Sequence, residues 1–585
     1  MKAKHSSFLL RFCYFSVNSF TLNNFPSKML SFKSFLLRCT LLLFLTNVFF
    51  IKTVFSQQII NLELLKYYDY TELNDLASSL GLPSSIAPVE YELGYYKLTY
   101  TTTDQHGQPT FATGGLVIPA NASCPLPIAS YQHGTESRKA SVPSNFSDEY
   151  QIGIIYGMGG MVVAMPDYLG MGDSPGLHPY MHAHTQATAT ADMLLAMQEL
   201  EDSLYTSNEQ LFLFGYSQGG HATMAAHRYI QDELQSTLNV TASAPMSGPY
   251  DVSGIQADLI ASDDPYPTPS YLPYIILSYQ SVYGNLYNDL SDIFIAPYDS
   301  MIPIWFDGTY STGYINQQLP SVPKDIIKPS VIDDYETDSL NHPLRLALKD
   351  NDVTDWVPQS PVRMIYCEAD DQVSYLNAIV ALDKFTALGA TEVEAVSAGA
   401  SFNHGQCVQT ALINAKLYFD NYIEREKAPL IEFDIVQNPD GNQNGIVELI
   451  TNNDVNFTVE WSDGNQSAYR DDLGIGNYEV SLFFENGCIV NKTLTLPFSS
   501  TANTAKVKNI RISPNPAQNS IFINSGEVGF NVVTIHDLQG KIVKRETFSN
   551  TKDFHVNVSD LTKGLYLIHL QNTESVYTEK LIIID

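Results

Sequence analysis

The sequence predicts an α/β fold, a mostly parallel sheet with flanking helices, followed by small all-β units. Three observations predict it. Between Tyr91 and Ile423, short apolar runs bounded by turn residues alternate with segments of helical periodicity, as βαβ architecture requires. After Lys427 the helical period disappears and short alternating strands with frequent turns take over. A chain of 585 residues also exceeds the roughly 250–300 at which one hydrophobic core stops growing.

The N-terminal residues 1–56 hold no Asp or Glu but seven Lys or Arg. Within them LLRCTLLLFLTNVFF, Leu36 to Phe50, is a short apolar run preceded by Lys33 and followed by Thr53, Val54, Phe55 and Ser56. A basic start, an apolar middle and a small residue before the cut predict a secretory signal removed after Ser56. Met29 would start a complete signal by itself. A membrane anchor is excluded as the better reading, because Arg38, Thr40, Thr46 and Asn47 interrupt a run already too short to span a bilayer. Loss of seven positive charges takes the formal charge from −31 to −38. Such a surface repels nucleic acid and anionic lipid, so no nucleic-acid partner is expected. Cys13 and Cys39 leave with the signal; Cys124, Cys367, Cys407 and Cys488 remain in a compartment that permits disulfides.

Residues 57–428 are expected to form one α/β domain. YELGYYKLTYTTT and TFATGGLVIPA read as an opening hairpin. LPIASYQHGT, MVVAMPDYLG, LFLFGYS, VTASAPMSG, VRMIYCEAD and TEVEAVSAG read as buried strands. HTQATATADMLLAMQELED, HATMAAHRYIQDELQ, SYLNAIVALDKFTALG and QTALINAKLYFDNYI read as helices. Residues from about 250 to 359, rich in Tyr, Pro and apolar side chains, are too long for a structureless loop and are expected to be an inserted, partly helical unit. Residues 429–498 read as a β sandwich, 499–506 as a polar linker and 507–585 as a last β unit.

G-x-S-x-G occurs twice, at Gly215–Gly219 and at Gly172–Gly176. A nucleophile elbow needs a strand, a tight turn and a helix, with glycines relieving the crowding around a strained serine. Ser217 lies between the strand LFLFG and the helix-forming HATMAAHRYI, with Gly215 and Gly219 as the elbow glycines. Ser174 is followed by Pro175 and Gly176, and its surroundings read as a turn. A serine hydroxyl needs a base, and the base an orienting acid. Where a serine stands on such an elbow, acid and then histidine follow in chain order. PVRMIYCEADDQV empties a strand into a loop with Asp370 and Asp371, and GASFNHGQC places His404 in a loop between a strand and a helix. Asp370 is the expected acid, with Asp371 its rival, and His404 the expected base. His221 and His227 belong to the helix after the elbow. HPYMHAH approaches metal spacing but lacks a carboxylate or cysteine partner, so no metal is expected. The oxyanion hole is expected from the backbone N–H of Gln218 and from that of Thr135 or Gly134 in YQHGT.

IASYQHGT, PDYLGMGDS with HPYMHA, GYSQGGHA and a strand ending in EADDQV before a histidine loop together resemble α/β-hydrolases of the secretory lipase and esterase type. The resemblance covers roughly residues 90–423. It implies the α/β-hydrolase fold, Ser217, Asp370 and His404 as a triad, and the insert at 250–359 as a cap over an acyl pocket. Cys367 stands where the family usually has Gly; a bond from it to Cys407 would join the two catalytic loops. Residues 430–497 are similar to short immunoglobulin-like modules of secreted bacterial proteins. Their Asp440-x-Asn442-x-Asn444-Gly445 hints at a calcium loop, but Thr451 stands where a Glu ligand is needed, and it reads as a turn. The end of the chain, with ISPNPAQN, HDLQGK, LTKGLYLIHL and KLIIID, resembles the C-terminal sorting domain of type IX secretion in Bacteroidetes. That implies passage of the outer membrane through secretion machinery, to the surface or the exterior.

The function these features imply is a secreted serine hydrolase acting on a small-molecule or lipid-like carboxylic ester, with no cofactor. A serine peptidase of the same fold and a catalytically inactive surface adhesin are the alternatives.

Overall fold

A computed structural model describes residues 57–584 apart from 148, 339–340, 427, 440–442, 452–455, 498–509, 527, 538–540 and 573–575. The expected signal, the linker at 499–506, and Asp440 and Asn442 lie outside the described residues.

The chain begins with β1 (Ile59–Tyr68) and α1 (Tyr70–Ser79), continues through the hairpin β2 (Leu93–Thr103) and β3 (Pro109–Pro119), and reaches β4 (Leu126–Gln132). Then come α2 (Tyr150–Gly157), β5 (Val162–Pro166), α3 (Ala183–Ala196), β6 (Ser207–Tyr216), α4 (Gln218–Tyr229) and β7 (Val240–Met246). Between β7 and β8 lies the insert, whose longer helices are α5 (Tyr271–Tyr283), α6 (Tyr298–Trp305), α7 (Pro329–Thr337) and α8 (Pro343–Asp350). The unit closes with β8 (Val362–Cys367), α9 (Leu376–Leu388), β9 (Val393–Gly399) and α10 (His404–Phe419).

These strands form one nine-stranded sheet in the order β1-β2-β3-β5-β4-β6-β7-β8-β9. The first three strands are antiparallel, and pairing from β5 through β9 is parallel. The edge strand β1 and the helix after it precede Tyr91, where the sequence pattern begins its alternation. β1 is legible only through its partner, because an edge strand exposes Ile60 and Leu64 and shows no clean two-residue period.

The central strands are covered on both faces, which is why they read as continuous apolar runs. In β6, Phe212 and Phe214 pack into a cluster with residues of α1, α2 and α10, while Leu211 and Leu213 pack with residues of α3 and α4. Strand alternation thus splits one sequence run between two helix layers. The chain leaves β4 for β5 on one side and returns to β6 on the other. The crevice between the carboxyl ends of β4 and β6 is therefore the switch point where open α/β sheets bind ligands.

The insert has its own apolar cluster. Its two stems are held together: Val353 N–H donates to the Tyr250 carbonyl at 3.1 Å, and Ser253 binds Asp352 through its backbone and its hydroxyl. Lys384 of α9 pairs with Asp251 at 2.5 Å.

Residues 431–496 form two three-stranded antiparallel sheets around Trp461, and residues 511–583 a three-stranded and a four-stranded sheet. A disulfide joins Cys124, just before β4, to Cys488 of the first β unit. Beside it the Ile489 N–H donates to the Ser123 carbonyl at 2.6 Å, and Cys124 packs in the same cluster as Trp461.

Candidate functional site

Ser217 stands between β6 and α4 with φ 60° and ψ −120°, a strained backbone for a residue with a side chain. The strain is imposed by close approach. A Cβ on Gly219 would run into the carbonyl oxygen of Gln132 at the end of β4, and one on Gly215 would meet the same oxygen at 2.6 Å. Only glycine on both sides lets α4 start directly against the neighbouring strand. The Ser217 N–H donates to the Met246 carbonyl at 2.9 Å, which ties the turn to β7.

Ser174 is built differently. It is fully buried, its hydroxyl accepts the Gly170 N–H at 3.1 Å, and its carbonyl accepts from Lys139 at 2.9 Å. Gly172 and Gly176 at positive φ make its surroundings a loop rather than a strand-to-helix turn.

His404 is the first residue of α10, not a loop residue as the sequence pattern suggests; Asn403 caps the helix and Gln406 completes a capping box. Its Nδ1 lies 2.9 and 2.8 Å from the two carboxylate oxygens of Asp370. Asp370 is itself held by the N–H groups of Gln372 and Val373 at 3.0 and 2.9 Å. Asp371 does not touch the ring; it accepts the His404 backbone N–H at 3.2 Å. The Tyr216 hydroxyl donates to the His404 carbonyl at 2.6 Å, and the two rings lie 5.0 Å apart. His404 is therefore fastened to the residue preceding Ser217. A disulfide joins Cys367 at the end of β8 to Cys407 in the first turn of α10.

The backbone N–H of Gln218, first in α4, and that of Thr135 have no acceptor among the described residues. Gly134 is different. Its N–H donates to Glu149 Oε2 at 3.0 Å, so it is not free to bind a developing oxyanion, and this corrects the expectation that admitted it as a donor.

Ser217 and Gln218 face a cavity of about 20 Å³ lined by Tyr180, Met181, Ile260, Tyr271, Ile275 and Val373. A second, apolar cavity of about 300 Å³ lies within the insert and shares Val252, Gln256, Ile260 and Ile275 as walls with the first. The Tyr180 hydroxyl lies 3.1 Å from Thr135 Oγ1, and its ring stacks on Tyr274 at 4.4 Å. Tyr266 and Tyr271 donate to the carbonyl and side-chain oxygen of Gln372 at 2.7 and 3.3 Å, joining the insert to the loop that holds Asp370.

Three further histidines, His178, His221 and His227, have structural partners. His178 Nδ1 lies 2.8 Å from the Leu169 carbonyl, and its Nε2 2.8 Å from the Gln218 amide nitrogen. Burial pushes it down to about 3, so it is a neutral ring that accepts from Gln218. His221 binds Gln186 and the Asn351 carbonyl, and His227 binds Ser243. No group of three or more His, Cys, Asp or Glu among the described residues is placed to hold a metal ion. Glu149 carries no sequence signal of its own; His178 and Gln372 lie within HPYMHA and EADDQV, but nothing in those motifs shows the contacts with Gln218 and with Tyr266 and Tyr271 that the fold brings about.

Residues 511–584 match the family of the secretion system C-terminal sorting domain. No curated protein matches the chain. Among solved structures, the chain is similar to the rice cell wall degrading esterase LipA from Xanthomonas oryzae, with 26% identity, 62% of this chain and 98% of that one covered, and a TM-score of 0.57. A protein from Legionella pneumophila described as a hydrolase is similar at 28% identity, with 63% of this chain and 100% of that one covered and a TM-score of 0.59. Candida antarctica lipase A in its closed state shares the fold at 16% identity, over 63% of this chain and 83% of that one, with a TM-score of 0.50. The large sheet and its helices have the α/β-hydrolase fold. The sorting domain directs the chain through type IX secretion to the cell surface or the extracellular space.

Proposed function

We propose that this secreted hydrolase is a serine esterase that cleaves carboxylic esters with an apolar acyl part. The observation that carries the reading is the Asp370–His404 pair at 2.8 Å, fastened through Tyr216 to the strained elbow of Ser217. Ser217 Oγ attacks the ester carbonyl and His404 Nε2 takes its proton. Asp370 holds Nδ1–H and stabilises the imidazolium that forms. The N–H groups of Gln218 and Thr135 bind the oxyanion of the tetrahedral intermediate. His404 then protonates the departing alcohol, and water releases the acid from Ser217 by the same steps in reverse order. The similarity to esterases supports ester rather than amide substrates. The acyl part is read from the insert: its 300 Å³ cavity is walled mainly by aliphatic side chains, with charged groups such as Lys324, Glu336 and Arg345 also among its lining, and it adjoins the space over Ser217.

The test is hydrolysis of p-nitrophenyl esters of graded acyl length, with one aminoacyl anilide, by the purified chain and by Ser217→Ala and Ser174→Ala. Ester turnover lost only in Ser217→Ala is the expected result. Turnover of the anilide alone would replace the esterase by a peptidase, and turnover retained in Ser217→Ala would remove the triad.

A further inference from the structure

We propose that Glu149 is a positioning residue for the oxyanion hole: its carboxylate fixes the turn after β4 so that Thr135, and not Gly134, presents its N–H to the reacting carbonyl. The inference rests on the esterase reading and adds to it a residue 15 positions beyond the turn.

Both polar groups of Gly134 are engaged. Its N–H donates to Glu149 Oε2 at 3.0 Å, and its carbonyl lies 2.7 Å from His133 Nδ1. The same Glu149 oxygen accepts the Tyr131 hydroxyl at 2.8 Å, so strand β4 itself holds the carboxylate in place. With the Gly134 peptide pinned on both sides, the next N–H in the chain, that of Thr135, is the free donor. The Thr135 side chain is held in turn by Tyr180.

Glu149 is well placed for this task and unused for another. It precedes α2, whose Ile152 and Ile154 are buried in the main core, so its backbone is rigidly anchored. An acidic residue at the start of a helix ordinarily accepts that helix's own N–H groups. The Glu149 side chain makes no such bond and reaches across to Gly134 instead. The approach is close: a Cβ on Gly134 would meet Glu149 Oε1 at 3.1 Å and the Tyr216 carbonyl at 3.7 Å, which sets the turn between the carboxylate and the elbow. A bare carboxylate here would oppose a developing oxyanion. Two donors on one of its oxygens leave it serving as an acceptor that sets geometry.

The chemistry predicts a division between variants. Glu149→Gln keeps an oxygen that accepts the Gly134 N–H; Glu149→Ala removes it and lets the peptide turn. In the full chain, with the best p-nitrophenyl ester as substrate, Glu149→Ala is expected to lower kcat by about 10- to 100-fold with KM within about twofold, because one oxyanion donor is misplaced. The inhibition constant of a trifluoromethyl ketone, which forms the same oxyanion, should rise in parallel. Glu149→Gln is expected within about threefold of the parent in kcat, since a neutral acceptor still makes the bond. A Glu149→Ala protein with the parent's kcat overturns the proposal. So does an equal fall in both variants accompanied by equal loss of thermal stability, which marks a structural role alone. Should Glu149→Ala not fold, Tyr131→Phe loosens the same oxygen; a kcat fall of about threefold supports positioning and an unchanged kcat overturns it. A parent protein that turns over no ester defeats the esterase reading and this proposal with it, whereas an active parent with an unaffected Glu149→Ala defeats the proposal alone.

Discussion

Cys367 and Cys407 are bonded, and the bond joins the strand leading to Asp370 with the helix that begins at His404. Each cysteine is three residues from one member of the pair. The two chain segments that must agree within a few tenths of an ångström for the Nδ1–carboxylate contact are thereby covalently coupled.

Cys407→Ser is expected to lower stability by about 3–4 kcal/mol, from release of the 40-residue separation in the unfolded chain. Thermal unfolding of the variant against the parent measures it. Because both cysteines are fully buried, dithiothreitol on the native parent should leave activity intact over minutes, and lose it only where the protein opens.

Asp370 and Asp371 should separate sharply. Asp370→Asn is expected to lower kcat by about 10³- to 10⁴-fold through loss of the tautomer and of imidazolium stabilisation. The hydrogen bond that Asp371 makes is to the backbone N–H of His404, so Asp371→Asn should remain within about tenfold, the scale of one hydrogen bond. Steady-state kinetics of both variants decide; equal losses would put the orienting role in doubt.

Gly219→Ala should destabilise far more than Gly176→Ala. At Gly219 the added methyl meets the backbone carbonyl of Gln132, which cannot turn aside, and the loss should exceed about 3 kcal/mol. At Gly176 the space is open and only the positive φ is penalised, at about 1 kcal/mol. Denaturant midpoints of the two proteins give the comparison.

Acid should unfold this protein through its buried histidines. Burial holds His178 and His227 down to about 3, and His182 and His221 down to about 4, all below the ordinary 6.5. The unfolded chain therefore takes up protons first as pH falls through 6.5, and stability declines from there down to about 4 through all four groups and on to about 3 through His178 and His227. Each such group contributes about 1.4 kcal/mol per pH unit. Asp192, raised to about 6 by burial, acts in the opposite sense between 6 and 3.8, as do Asp167 and Glu201, which burial also raises; the four imidazoles, joined by His184, His342 and His569, which burial also lowers, outnumber them. Melting temperatures measured from pH 7.5 to 4 should fall steeply below 6.5, and His227→Gln should make the slope shallower.

What the sequence by itself determined is local. A strand, a glycine-flanked serine and a helix occupy about 20 consecutive residues, and the two-residue and 3.6-residue periods around them follow from backbone geometry alone. The α/β pattern, the inserted unit and the β units after Lys427 are legible for that reason, as are the spacings that single out Asp370 and His404. What only the tertiary structure decided depends on which distant segments meet. That Gly134 gives its N–H to Glu149, that Asp371 serves a helix end while Asp370 faces the ring, and that β1 extends the sheet cannot be read from spacing. Nor can the bond from Cys124 to Cys488 across 364 residues. A hydrogen bond or disulfide leaves no periodicity in either partner's neighbourhood; it appears only once the sheet order has brought the two chain segments within a few ångström of each other.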